Sequence, residues 1–194
     1  NKFDGWTFTN YFHDERDSTS LVNNLIEALL CDRQGGLWVG SGKGLQLYSP
    51  YEDAFKNVTF VDGNKPSVLH LQELHTGEIW AVTAGYGVYS IDKEKMEATS
   101  LVHVNDLCSS TFMHNIHQDS RHRIWIALPN GKIVRITPDL KDADLISSSS
   151  DALGKVYTIL EDLKGRTWVA AVAGVYLWNE DEHRLIRMEQ SDNT

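Results

Sequence analysis

The sequence lacks several features that would assign it to a large protein class. It has only two cysteines, Cys31 and Cys108, which belong to no metal-binding or redox spacing, and we expect both to be small buried hydrophobic residues. Its most apolar stretch, residues 167–178, is shorter than the roughly 20 residues that cross a bilayer. The net charge is −9 without a stripe rich in lysine or arginine, which argues against a nucleic-acid partner. No motif predicts a cofactor or a metal.

The ends of the chain carry no targeting signal. It begins at Asn1 without the charged and apolar regions of a signal peptide, and it stops in polar residues. Its 194 residues, 41% of them hydrophobic, are enough for one domain with a sizeable core. We therefore expect a folded piece of a longer or processed protein.

A repeat organises the whole sequence. Four tryptophans are separated by 42, 45 and 43 residues, namely Trp38, Trp80, Trp125 and Trp168. This period lies in the range of β-propeller blades. Apolar residues recur at fixed positions before each tryptophan, and strands rich in β-branched and aromatic residues follow it. The repeat predicts an all-β fold, a β-propeller segment of four blades with four antiparallel strands each.

Each tryptophan ends a hairpin motif with the consensus Asp-x-x-Gly-x-x-Trp. An aspartate accepts hydrogen bonds from nearby backbone N–H groups, and glycine supplies the positive φ that closes the turn. The motif residues are Asp32, Gly35 and Trp38; Gly77 and Trp80; Asp119 and Trp125; and Asp162, Gly165 and Trp168. Leu74 replaces the aspartate and His122 the glycine, so less regular hairpins are expected in those copies. We interpret the motif as the frame of the blade, with each tryptophan packed between neighbouring blades.

The repeat also sets the predicted boundaries. Blades are assigned to residues 21–62, 63–104, 105–148 and 149–194, each with a weaker fourth strand, as over 98–103. Residues 1–20 are assigned to a lead-in strand and loop, with a lone outermost strand over 5–11. Four blades alone leave strand edges and apolar faces exposed, so we expect two copies to associate.

An enzyme is the least favoured hypothesis. The hairpin motif of sialidase-like propellers places glycine two and tryptophan five residues after aspartate, whereas Asp162, Gly165 and Trp168 are spaced by three and six. His114 and His117 have an odd offset, which on a strand points their side chains to opposite faces and prevents them from sharing a metal ion. We predict no catalytic residue in this segment.

Ligand-binding candidates lie in the variable loops. The loops after the tryptophan strands are expected on the same face of the propeller as the segments that enter the innermost strands. At equivalent loop positions stand Lys43, Tyr86 and Asn130, with His70 and His114 near the start of innermost strands. Aromatic platforms and hydrogen-bonding groups of this kind suit a small polar ligand.

The first copy resembles a known family repeat. It reads Ile26-x-x-Leu29-x-x-Asp32-x-x-Gly35-x-Leu37-Trp38-Val39-Gly40-Ser41-x-x-Gly44-Leu45-x-x-Tyr48, which is similar to the two-component regulator propeller repeat. The lead-in Leu21-Val22-Asn23-Asn24 resembles the family's Leu-Ser-x-Asn. The resemblance is close in the first copy, good in the fourth and degraded in the other two.

The resemblance implies the periplasmic part of an inner-membrane hybrid two-component sensor histidine kinase. In that family the ligand is typically an oligosaccharide, and binding regulates polysaccharide utilisation through the sensor dimer. The expected partners are the remaining propeller and signalling domains of the same protein. An alternative is a propeller scaffold that contacts its neighbours and has no ligand site of its own.

Overall fold

A short hairpin precedes the blades, where the sequence predicts one lone strand. In the computed structural model, which describes residues 1–148 and 153–188, β1 (Lys2–Phe3) pairs antiparallel with β2 (Phe8–Thr9). The Asp4 carboxylate closes the turn by accepting the backbone N–H groups of Trp6 and Thr7, each at 2.8 Å. The local Asp-Gly turn thus pairs this segment with itself.

Four blades of four antiparallel strands follow, which confirms the predicted all-β propeller fold. Blade 1 consists of β3 (Ile26–Cys31), β4 (Leu37–Ser41), β5 (Gly44–Ser49) and β6 (Ala54–Asn57). After the short β7 (Thr59–Phe60), blade 2 consists of β8 (Val68–Glu73), β9 (Ile79–Thr83), β10 (Gly87–Asp92) and β11 (Glu97–Ser100). After the helix α1 (Val102–Cys108), blade 3 consists of β12 (Asn115–Gln118), β13 (Ile124–Ala127), β14 (Ile133–Ile136) and β15 (Ala143–Ser148). Blade 4 consists of β16 (Val156–Glu161), β17 (Thr167–Ala171), β18 (Gly174–Asn179) and β19 (Arg184–Arg187).

The first strand of each blade lies at the inner edge of the propeller. The strands β3, β8, β12 and β16 contact one another from blade to blade. Later strands of each blade pair in sequence and lie progressively outward. At the outer edge, β7 runs parallel to β11, and β15 runs parallel to β19. These parallel pairs connect neighbouring blades where the chain passes between them.

The helix α1 replaces the end of the strand predicted over 98–103. Strand β11 stops at Ser100, and the helix buries Val104, Asn105 and Cys108 beside blades 2 and 3. The Asn105 side-chain oxygen accepts the backbone N–H of Val88 at 2.9 Å. The buried positions four residues apart give one turn of helix an apolar face, which the strand interpretation did not account for.

Three hydrophobic cores lie between the blades, and each contains a motif tryptophan. Trp38 packs against blade 2, Trp80 against blade 3 and Trp125 against blade 4. All three are at most 1% exposed. Trp168 is only partly buried, because no further described blade covers its side of blade 4.

A hydrogen bond joins aspartate to tryptophan in the copies that contain both. The indole Nε1–H donates to the aspartate Oδ2 at 2.8–2.9 Å in the pairs Asp32 with Trp38, Asp119 with Trp125 and Asp162 with Trp168. The other carboxylate oxygen accepts backbone N–H groups two and four residues on. One side chain therefore closes the turn and orients the ring.

The second copy keeps its turn without the aspartate. Backbone hydrogen bonds link Leu74 to Glu78 at 2.8 Å and to Gly77 at 2.9 Å, as in the other copies. His122 adopts the positive φ of +63° that glycine has elsewhere. The expected irregularity of these hairpins is therefore not found. The cost falls on Trp80, whose buried Nε1–H has no partner among the described residues.

A second hydrogen bond connects each hairpin loop to the following blade. The backbone N–H one residue after the motif aspartate position donates to the side chain seven residues before the next tryptophan. The pairs are Arg33 to Glu73 at 2.9 Å, His75 to Gln118 at 2.7 Å and Ser120 to Glu161 at 2.8 Å. We call these contacts the inter-blade hydrogen bonds.

Replacing a buried motif tryptophan should destabilise the protein strongly. We expect Trp125→Ala to lower the free energy of unfolding by about 3–5 kcal/mol, because it empties the core between blades 3 and 4. Trp6→Ala is the matched control, since that ring is 92% exposed, and should change stability by less than about 0.5 kcal/mol. Urea unfolding followed by circular dichroism measures both. Equal effects would contradict the packing role.

The inter-blade hydrogen bond should tolerate either acceptor found in the repeat. Glu161→Ala removes the acceptor for the Ser120 N–H and Oγ–H groups and should lower the free energy of unfolding by about 1–2 kcal/mol. Glu161→Gln keeps a carbonyl oxygen, as Gln118 does one blade earlier, and should retain most of the stability. Thermal unfolding of the two variants tests this, and equal losses would argue against a role for the acceptor oxygen.

Candidate functional site

The predicted loops do meet at one end of the blades. The turn after each tryptophan strand is hydrogen-bonded to the segment that enters the inner strand of the same blade, as in Gly42 to Leu25, Ala84 to Ser67 and Val172 to Lys155, each at 2.9 Å. We call this end of the propeller the loop face. The hairpin motifs lie at the opposite end of the same strands.

Lys43 lines a cavity on the loop face. It lies in the turn between β4 and β5, and the cavity of about 290 Å³ continues to the segment that leads from β7 to β8. Asn57, Thr59, Asn64 and Lys65 also line it. Of the described residues, none of the other four sequence candidates belongs to this lining. Lys65 has no equivalent at a repeat position, so periodicity did not reveal it.

Tyr86 belongs to a second feature of the loop face, an exposed aromatic pair. Its side chain is 46% exposed, and Phe112, in the segment that enters β12, is 63% exposed. A β-carbon on Gly85 would lie 3.4 Å from the Phe112 ring, so the ring packs directly beside the Tyr86 turn. The backbone N–H of Gly87 donates to the Thr111 oxygen at 2.9 Å and fixes the two segments together. Phe112 is an aromatic residue just before an inner strand, but it occupies no repeat position that would have predicted its place on the loop face.

The third loop candidate, Asn130, lies in a single 3-10 turn, Pro129–Gly131, between β13 and β14. Its side chain lies outside the described residues.

The two histidine candidates differ in their exposure to solvent. His114 is exposed just before β12. His70, on β8, is largely removed from solvent, and its Nδ1 has no partner among the described residues. Burial lowers the pKa of His70, and the nearby His117 lowers it further. The structure thus brings His70 close to His117.

Within the described residues, no group of three or more His, Cys, Asp or Glu side chains is arranged to hold a metal ion. Both cysteines are free, and Cys31 is exposed, which corrects the expectation that both are buried. Burial raises the pKa of Cys108 to about 12. Over residues 1–148 and 153–188, no helix has the length and apolar character needed to cross a membrane.

A family model matches the first repeat. Residues 20–43 match the model of the two-component regulator propeller, which confirms the resemblance found in the sequence. The match covers the lead-in, β3, the hairpin motif and β4. No curated protein sequence matches the chain.

Solved extracellular domains of proposed hybrid two-component systems have a similar fold. The extracellular domain of one proposed hybrid two-component system of B. thetaiotaomicron is 22% identical with a TM-score of 0.76, covering 92% of this chain and 26% of that one. A second domain of this kind from B. thetaiotaomicron is 23% identical with a TM-score of 0.71, covering 90% and 25%. The chain therefore spans about a quarter of the length of these domains.

An enzyme also shares the fold. Virginiamycin B lyase from Staphylococcus aureus is 15% identical with a TM-score of 0.66, covering 87% of this chain and 56% of the lyase. At these identities the likeness shows the propeller fold and not a shared activity.

The partly buried His70 should make stability depend on pH near neutrality. An unfolded histidine has a pKa of about 6.5, whereas burial lowers the pKa of His70 in the folded state. Below pH ~6.5 the unfolded chain binds a proton that the folded chain does not, so the free energy of unfolding should fall as the pH decreases. His70→Gln should reduce this slope.

The measurement is urea unfolding between about pH 5 and pH 8, together with the NMR titration of the His70 ring protons. His114→Gln, at an exposed position, is the matched control. A His70 titration at or above the ordinary histidine value would contradict the prediction.

Proposed function

We propose that this chain is part of the periplasmic sensor region of a hybrid two-component histidine kinase and that its loop face binds an oligosaccharide. The observation that carries this proposal is the match of residues 20–43 to the two-component regulator propeller. The fold shared with extracellular domains of such systems supports it. On this proposal the protein is anchored in the inner membrane and controls the use of polysaccharides.

The exposed aromatic pair supports carbohydrate binding. Tyr86 and Phe112 present apolar ring surface to solvent on the loop face, and aromatic side chains together with a few polar groups commonly line ligand sites. A sugar ring offers C–H groups that pack on such surfaces, while its hydroxyl groups bond to nearby loops. The variable loops supply these groups, because the motif residues are occupied within the blade.

Signalling on this proposal requires a difference in affinity between two states of the sensor. A ligand that contacts loops of two neighbouring blades would favour the arrangement in which those loops fit it best, and the equilibrium would shift toward that arrangement. The inter-blade hydrogen bonds hold neighbouring blades in a fixed register. Such rigid coupling would transmit the shift to the rest of the protein. We propose no catalytic role for this segment.

A propeller scaffold is the second candidate function. It is favoured by apolar side chains that blade 4 exposes, namely Tyr157, Leu160, Leu163, Val172 and Val175. Exposed apolar patches of this kind mark contacts with protein. On this alternative the segment contacts neighbouring domains or a second copy, and the ligand binds elsewhere.

Titration with neutral oligosaccharides separates the two candidates. A saturable heat of binding or a thermal shift of the isolated chain supports ligand sensing. Tyr86→Ala combined with Phe112→Ala should then weaken binding about tenfold, since both stacking surfaces are lost. Tyr51→Ala is the matched control, because Tyr51 is 98% exposed and is not on the loop face. No binding by any oligosaccharide would favour the scaffold.

A further inference from the structure

The Lys43 cavity lies between blades 1 and 2 on the loop face. One wall is the turn between β4 and β5, and the other is the segment between β7 and β8, which carries Asn64 and Lys65. Two positively charged side chains thus approach one cavity from different blades. Neither Lys43 nor Lys65 has an ion-pair partner among the described residues, whereas Lys56 and Lys93 bond to carboxylates at 2.8 and 3.1 Å.

The acid nearest in the chain is already engaged. Asp62, in the same segment as Lys65, accepts the Tyr89 hydroxyl at 2.6 Å and the Asn64 backbone N–H at 3.0 Å. Its negative charge is therefore directed at these donors. The two lysines remain available to a ligand.

A buried glutamine fixes the orientation of a further donor. Gln46 is fully buried, and its Oε1 accepts the Val22 backbone N–H at 2.8 Å. Its amide nitrogen must then donate, and it does so to the Ser20 oxygen at 3.0 Å and the Asn57 Oδ1 at 2.8 Å. The Asn57 oxygen thus accepts a hydrogen bond from Gln46. The NH₂ group of Asn57 is left to donate to a ligand in the cavity that Asn57 lines.

We propose that this cavity binds the anionic group of an acidic sugar, either the carboxylate of a uronic acid or a sulfate ester. The proposal rests on the carbohydrate binding proposed above and adds the class of ligand. Two ammonium groups and an amide NH₂ donate hydrogen bonds, and charge-assisted bonds to an anion are stronger than neutral ones. The whole chain carries a net charge of −9, so binding of an anion depends on this local pair of cations.

A short path along the chain links the cavity to the aromatic pair. Lys65 is two residues from Ser67, whose oxygen accepts the Ala84 backbone N–H at 2.9 Å. Ala84 is in turn two residues from Tyr86. An oligosaccharide can therefore place its acidic residue at the lysines and stack the next residues on Tyr86 and Phe112.

Matched pairs of sugars test the inference by calorimetry. Trigalacturonate is compared with its neutral methyl ester, and a sulfated disaccharide with its desulfated form. We expect at least one acidic member to bind about tenfold more tightly than its neutral partner. Raising the salt from about 0.1 M to about 1 M should remove most of this preference, because the Debye length falls from ~10 to ~3 Å.

Lysine variants assign the preference to the cavity. The double variant Lys43→Gln with Lys65→Gln should bind acidic and neutral members equally. Lys164→Gln is the matched control. It also removes a lysine charge, but in the hairpin motif of blade 4, at the end of the blades opposite the loop face, and it should keep the preference for acidic sugars. Circular dichroism and thermal unfolding confirm that each variant is folded.

The outcomes are distinct from those that test sugar binding itself. Equal binding of acidic and neutral sugars by the unmodified chain, or a preference that survives the double variant, overturns this inference and leaves the proposed sensor function standing. Failure of every oligosaccharide, acidic or neutral, overturns both. The pair of sugars that shows the preference identifies the anion as a carboxylate or a sulfate.

Discussion

The propeller depends on the packing of a motif tryptophan between each pair of neighbouring described blades. The motif aspartate holds the indole ring with one carboxylate oxygen and closes the hairpin with the other. The orientation of the ring and the shape of the turn are therefore coupled through a single side chain. Because the ring lies between two blades, the same contact also sets how the blades stand relative to each other. The loop face is a consequence of this repeated geometry.

This arrangement separates stability from recognition along each strand. The hairpin end contains the conserved pattern of aspartate, glycine and tryptophan within the repeat, and the inter-blade hydrogen bonds lie there. The opposite end carries turns whose residues differ in every blade, such as Lys43 and Tyr86. A change at an exposed loop-face residue such as Lys43 or Tyr86 leaves the cores between blades intact. The site can therefore vary in charge and shape while the frame stays the same.

The fold could be predicted because the spacing of the tryptophans is read directly along the sequence. It requires no knowledge of which residues contact each other in the structure. Most of the candidate site could not be predicted from the sequence. Lys65 and Phe112 reach the loop face through connecting segments that have no fixed length, so neither occupies a repeat position. The hairpin of residues 2–9 was missed because it depends on the local contacts of one side chain, Asp4. The helix α1 was missed because Asn105 makes a tertiary contact with Val88, 17 residues earlier in the chain. The lowered pKa of His70 could not be predicted, because it depends on burial, which the position of a residue on a strand does not reveal.

The inter-blade hydrogen bond uses a backbone N–H group as its donor, and residues as different as Arg33, His75 and Ser120 supply it equally well. Only the acceptor, a glutamate or glutamine, is specified by the sequence of the following blade. This contact therefore forms whatever side chain the preceding blade has at the donor position. For this hydrogen bond, a blade added by gene duplication would need no matching side chain in its predecessor.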